Sequence, residues 1–235
     1  FPEYNLENFA WFAWIPLLLA IEKTTPQKAA LLGFVTGMVF YNWGLSWINN
    51  TLINYGNLHW ILSFAVLGLL SAYLSFFIAL FCYFMRKVCG ENCIRFFLFA
   101  PILWVSLEYL RSTHSEYGFS WLGLGYSQFQ TLPVIQLAEW TGVYGISWFL
   151  ILVNSGLFLF WKCWREQTQT DIELQTGWRI LSVTLLVSAL WLAYGNQSLK
   201  HYSSPGANNE KIKIALVQGN VEQFMKWNPV YQNIV

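Results

Sequence analysis

Charge is what this 235-residue chain has least of. Asp, Glu, Lys and Arg make up 11% of it, against about a quarter in an ordinary soluble domain. That shortage argues against a water-soluble globular body. No run of basic residues supports a nucleic-acid partner, and the net charge of +1 points to no charged ligand. Histidine is as sparse: His59, His114 and His201 are scattered through separate segments. There is no H-E-x-x-H, no G-x-S-x-G, no P-loop and no dinucleotide fingerprint, so neither a metal nor another cofactor is expected. The four cysteines are Cys82, inside an apolar run, and Cys89, Cys93 and Cys163, in polar gaps. The Cys89/Cys93 spacing is neither of the zinc nor of the redox type, so all four read as structural thiols. No basic segment ahead of an apolar one marks a signal peptide. The first residue is Phe1 rather than Met, which reads as an incomplete or processed start.

Apolar residues fill the space that charge leaves. They form 56% of the chain, with 14 Trp and 19 Phe among them. A membrane span takes about 20 mainly apolar residues. Runs of that kind cover 29–48, 60–85 and 135–161, with shorter ones at 96–110 and 178–194 flanked by charge and aromatics. The stretch 9–21 is the weakest, either a short span or an interfacial segment. Lys23 and Lys28, then Arg86, Lys87 and Arg95, then Lys162, Arg165 and Arg179 fall in alternate gaps. Alternation of this kind is the positive-inside pattern of a multi-pass membrane protein. It predicts segments 22–28, 86–95 and 162–179 inside, and 49–59, 111–134 and everything from 195 onward outside.

After Tyr194 the composition changes. Residues 195–210 are polar and contain Pro205 and Gly206, as a linker would. Lys211 to Val217 then alternates before turning wholly apolar, which predicts a strand entering a buried sheet. One strand cannot fold alone, so a globular domain is expected to continue past Val235.

Within the spans, Gly33 and Gly37 form a small-xxx-small pair suited to close helix packing. Glu108 and Arg111, three apart at the end of a span, can pair at the membrane boundary, where an ionisable residue is a functional candidate by default. The Gly/aromatic segment from Tyr117 to Gln128 follows. It is long enough to dip back into the interface and line a cavity with Trp121, Tyr126 and Gln128. Glu139 sits in a first helical turn, where the helix dipole favours a carboxylate.

Several segments together resemble the apolipoprotein N-acyltransferases, bacterial inner-membrane enzymes that complete lipoprotein maturation. They are LGFVTG at 32–37 running to Trp47, PILWVSLEYLR at 101–111, GFSWLGLGYSQ at 118–128, GVYG at 142–145 running to Asn154, and ALVQGN at 215–220 followed by Lys226-Trp227. The resemblance implies eight membrane helices and an extracytoplasmic nitrilase-like domain inserted before the last. It thus implies an all-α polytopic transmembrane helix bundle over 1–194, of which about six spans (helices two to seven) are present here. A linker over 195–210 would follow, then 211–235 as the first strand of a truncated α/β nitrilase-like domain. The location implied is the inner membrane, with the tail in the periplasm.

The activity implied is transfer of an acyl chain from a membrane phospholipid to the N-terminal diacylglyceryl-cysteine of an apolipoprotein. The family's Glu-Lys-Cys triad does this through a cysteine thioester. No triad residue is assignable, because Glu222 precedes the expected Glu and no cysteine lies in the tail. Residues 1–235 alone are therefore expected to be inactive. Expected to contact substrate or seat the outer domain are Glu108, Arg111, Trp121, Tyr126 and Gln128, with Gln218, Asn220 and Trp227 in the tail. Two other readings remain at this point: a non-enzymatic membrane protein such as a transporter subunit or assembly scaffold, and a relative that acylates something else. Sparse intramembrane charge counts against an ion path, and an unpaired edge strand counts against a docking tail.

Overall fold

The computed structural model describes residues 6–113, 116, 118–165, 171–203, 213–218 and 220, with the backbone alone at 171–173 and 203. Its helices are α1 (Ile15–Ile21), α2 (Pro26–Gly44), α3 (Trp47–Asn54), α4 (Trp60–Phe84), α5 (Cys93–Thr113), α6 (Leu132–Ile135), α7 (Ala138–Arg165) and α8 (Asp171–Ser203). Local chemistry sets their starts. The Thr25 hydroxyl accepts from the Lys28 N–H at 3.4 Å, and Pro26 fills the first turn of α2, where a missing N–H costs nothing. The Asn92 amide oxygen caps α5 by accepting from the Arg95 N–H at 2.9 Å. Helix α4 loosens into a π turn at Met85–Cys89 and stops at Gly90, whose φ of +54° is open to glycine.

Among the described residues, four helices are long and apolar enough to cross a membrane, or five if α2 and α3, bent by 55°, count as one. The chain is therefore a polytopic helix bundle, with fewer full-length spans than the six expected. The difference is Glu7–Ile21, an apolar segment that the structure breaks into a 3-10 turn at Glu7–Trp11 followed by α1. Backbone broken at membrane depth must find partners inside the protein, and buried Asn154 of α7 supplies them. Its amide nitrogen donates to Ala10 O and Leu150 O, both at 2.8 Å, and its oxygen accepts from the Trp14 N–H at 3.0 Å.

Helices α2 and α4 form the closest pair. A Cβ on Gly33 would lie 2.8 Å from Cys82 Sγ and 2.9 Å from Ile78 O, and one on Gly37 would lie 2.8 Å from the Ser75 side chain. The small-xxx-small pair thus sits where the two backbones meet. Helix α7 runs through the middle of the bundle, between α5 and α8. Gly156 of α7 faces Thr184 of α8, and Phe149 stacks on Trp191 at 4.4 Å.

The three basic loops converge at one end of the bundle. Arg86 donates to Thr24 O at 3.1 Å, to Gly90 O at 2.9 Å and to Glu91 at 3.1 Å. Lys162 reaches Glu91 at 3.1 Å and Glu22 at 3.7 Å, and Arg165 reaches Glu22 at 2.8 Å. Segments read as sharing a side from their charges alone are joined side chain to side chain.

The tail departs from expectation in two ways. Helix α8 continues to Ser203, so the segment read as linker is helical up to there. Residues 213–218 carry no strand, and none occurs among the described residues. A strand exists through its ladder of hydrogen bonds, and a single segment has none to make. Its apolar side chains face outward instead: Leu216 and Val217 are each 94% exposed.

Candidate functional site

At the end opposite the basic loops, α5 delivers Glu108 and Arg111 to a buried knot. Their side chains are 3% and 2% exposed, yet their closest approach is 4.0 Å, so the pair is held by charge more than by a direct hydrogen bond. Each reaches a loop backbone instead. Glu108 Oε1 accepts from the Leu124 N–H at 2.7 Å, and Arg111 Nη1 donates to Trp121 O at 3.0 Å. The main chain closes the same loop, with the Phe119 N–H donating to Arg111 O at 2.9 Å. The Arg111 guanidinium lies over the ring of buried Tyr41 at 5.8 Å, an arrangement that offsets part of the cost of burying it.

A second fastening lies further along the loop. The Gly125 N–H donates to Ser147 Oγ of α7 at 2.8 Å. A Cβ at Gly125 would run into Val143 O, so only glycine allows this approach. Gln128 is fully buried and donates to Glu7 O at 2.9 Å and to Ser127 Oγ at 3.1 Å. The Gly/aromatic segment is therefore a fixed lid clamped to α5, α7 and the first turn.

Beside this lid is a cavity of about 280 Å³, near the lower bound of ligand pockets. Phe9, Trp14, Phe40, Tyr41, Trp104 and Leu122 dominate its walls, and Leu124 and Ser127 of the lid complete them. Three buried polar atoms at this end have no hydrogen-bond partner among the described residues: Trp104 Nε1, on a residue lining the cavity, and Glu108 Oε2 and Gln128 Oε1, on residues that do not line it. Unsatisfied buried groups are rare enough to ask for a reason, and a ligand is one. No group of three His, Cys, Asp or Glu among the described residues could hold a metal ion. The arrangement offers a shaped, largely apolar volume that can bind and orient a ligand.

The residues singled out from sequence divide into three sets. Glu108 and Arg111 come together beneath the lid, and Gln128, within the lid, is buried against the first turn. Trp121 and Tyr126 sit on its outer face, 56% and 52% exposed, with Trp121 tilted against Trp47 of α3 at 5.0 Å. Gln218 and Asn220 are exposed on the tail, and Trp227 lies outside the described residues. Glu139 is exposed and accepts from the Tyr202 hydroxyl at 3.3 Å. Sequence reasoning missed Tyr41, Trp104, Ser147 and Asn154. Each sits inside an apolar run, where only long-range packing gives it a role.

The family model described as the apolipoprotein N-acyltransferase N-terminal domain matches residues 1–156. The chain belongs to the apolipoprotein N-acyltransferase family. Among relatives bearing that name, the protein of Geobacter metallireducens is 40% identical over 99% of this chain and 43% of its own length. Those of Nitrosomonas europaea and Pasteurella multocida are 33% and 30% identical, over 96% and 91% of this chain and 44% and 39% of theirs. The chain thus spans less than half the length of the curated relatives it matches. The family match takes in the whole lid, the knot beneath it and the cavity-lining residues.

Proposed function

We propose that this chain supplies the membrane portion of an apolipoprotein N-acyltransferase, and that the cavity beside the Glu108–Arg111 knot receives an acyl chain of the phospholipid donor. The observation carrying the proposal is the cavity itself, a volume of about 280 Å³ whose aromatic and aliphatic walls reach from α1 and α2 to the lid. An acyl chain fills this apolar volume. Trp121 and Tyr126, exposed on the lid, suit the head-group level, where amphipathic aromatics concentrate.

The reaction is two acyl transfers. A thiolate attacks the donor ester, forming a thioester and releasing a lysophospholipid. The α-amine of the acceptor's diacylglyceryl-cysteine then attacks the thioester, forming an amide and freeing the thiol. No residue of 1–235 is assigned to the triad. The exposed apolar segment at 213–218 is proposed as the first strand of the nitrilase-like domain that carries it. Gln218, Asn220 and Trp227 would then lie at the approach to that domain. The convergence of the basic loops supports placing that end in the cytoplasm and the lid in the periplasm of a bacterial inner membrane.

Ala13 lines the cavity and is exposed at its rim. In the full-length enzyme, Ala13→Trp is expected to raise the KM for phospholipid by about tenfold. Transfer from a preformed thioester to a diacylglyceryl-cysteine peptide should stay unchanged. An unaltered donor KM would remove the cavity from the mechanism. For topology, an impermeant maleimide applied to intact spheroplasts should label Trp121→Cys and not Lys23→Cys; the reverse result would invert the bundle.

A further inference from the structure

Two cysteines 70 positions apart in sequence meet at the basic end of the bundle. Cys93 opens α5 and Cys163 lies in the last turn of α7, with their Sγ atoms 3.9 Å apart. We propose that they form a dithiol modification site, converted to an intramolecular disulfide by exchange with a small disulfide of the glutathione type.

Four features support this. A disulfide needs sulfurs about 2.05 Å apart, and the remaining gap is within reach because Cys93 begins its helix rather than sitting in its middle. Cys93 is partly exposed and borders a small surface depression shared with Glu91, Asn92 and Lys162, so an oxidant can reach it. The first turn of a helix and a neighbouring ammonium both favour a thiolate; Lys162 is coupled electrostatically to Cys93. Cys163, in contrast, is buried, with Gly177 of α8 pressed so close that a Cβ there would lie 2.7 Å from Cys163 Cβ. The pair therefore has an accessible attacking thiol and a sheltered resolving one.

With a glutathione-type disulfide, the Cys93 thiolate attacks one sulfur and releases one small thiolate, leaving a mixed disulfide. Cys163 then attacks the Cys93 sulfur and displaces the second small thiolate. The two protons lost by the cysteines end on the two released thiols, so one disulfide is reduced as one is formed. The bridge would staple the start of α5 to the end of α7. Toward their far ends those two helices carry Glu108, Arg111 and Ser147, which fasten the lid. In a reducing cytoplasm the pair would rest as thiols and close only when the glutathione pool is oxidised.

The test uses the full-length protein in native membrane vesicles, equilibrated with graded ratios of oxidised to reduced glutathione, alkylated and digested with trypsin. The expected product is peptide Val88–Arg95 joined to Cys163–Arg165, lighter by two hydrogens and reversed by dithiothreitol. Since the first peptide also carries Cys89, the bridge should persist in Cys89→Ser and vanish in Cys163→Ser. Cys93–Cys163 bridges should exceed any bridge through Cys89 by roughly tenfold. Cys93 remaining alkylatable at every ratio would overturn the proposal. So would Cys93 stopping at a glutathione adduct, or pairing with Cys89 or a second copy. The wild-type map decides even if a variant fails to fold.

Discussion

The two ends of the bundle use buried charge in opposite ways. At the basic end, Glu22, Arg86, Glu91, Lys162 and Arg165 pair with one another across three loops at 2.8 to 3.7 Å. At the lid end, the two charges buried among the described residues, Glu108 and Arg111, hydrogen-bond loop backbone rather than each other. A network of mutual ion pairs at a water-facing end fixes which loops lie together, and solvent shares its cost. A lone pair beneath a lid is desolvated: Glu108 and Arg111 are 3% and 2% exposed, against 65% and 41% for Glu91 and Arg165.

The strongest way to break that contrast is to remove one arginine from each end. Arg111→Ala leaves Glu108 buried and uncompensated, and should cost about 3–5 kcal/mol, with the lid becoming sensitive to protease between Phe119 and Gln128. Arg165→Ala should cost no more than about 1 kcal/mol, because its side chain is 41% exposed. Thermal unfolding of both variants in one detergent gives the comparison, and equal losses would dissolve it.

A smaller effect separates the lid's supports from the broken first segment. Asn154→Ala strands the Ala10 carbonyl and the Trp14 N–H in an apolar interior, for about 1–3 kcal/mol. Hydrogen exchange should rise in 7–21 and not in 118–128. If exchange rises in both, lid and first segment are one unit.

The smallest effect is the pH response of the basic end. Partial burial pushes the Glu91 carboxyl up, but hydrogen bonds from Lys162 and Arg86, and their charges, outweigh it and hold it below the usual carboxylate range. A carboxyl depressed by folding contributes stability above its unfolded value and loses it as pH falls through the folded one. Glu91→Gln should therefore flatten the acid side of the stability profile. The effect should stay below about 1 kcal/mol, since the Glu91 side chain is 65% exposed. The lid end should not respond to this change.

Much of this was legible in the residues. Alternating Lys/Arg loops placed 22–28, 86–95 and 162–179 on one side, and the structure joins them through Arg86, Lys162 and Arg165. Glu108 and Arg111 were visible as an i,i+3 pair in an apolar run, and the Gly/aromatic lid as a break in hydropathy. The split of Glu7–Ile21 was not legible, because the residue that makes it tolerable, Asn154, lies more than 130 positions away. Nor was the Cys93–Cys163 approach: its sequence separation carries no periodicity, and the near pair Cys89/Cys93 drew attention instead.

The sequence by itself determined that this chain lives in a membrane, which loops share a face, which family it resembles and where its polar tail begins. Those are properties of composition, charge order and short motifs, each readable within a few tens of residues. Only the tertiary structure decided that Glu108 and Arg111 hold a lid rather than each other. It alone decided that an apolar cavity with an unpartnered indole N–H lies beside that lid, and that two distant thiols touch. Those outcomes depend on how α5 and α7 seat against their neighbours at separations where no local pattern constrains the partner.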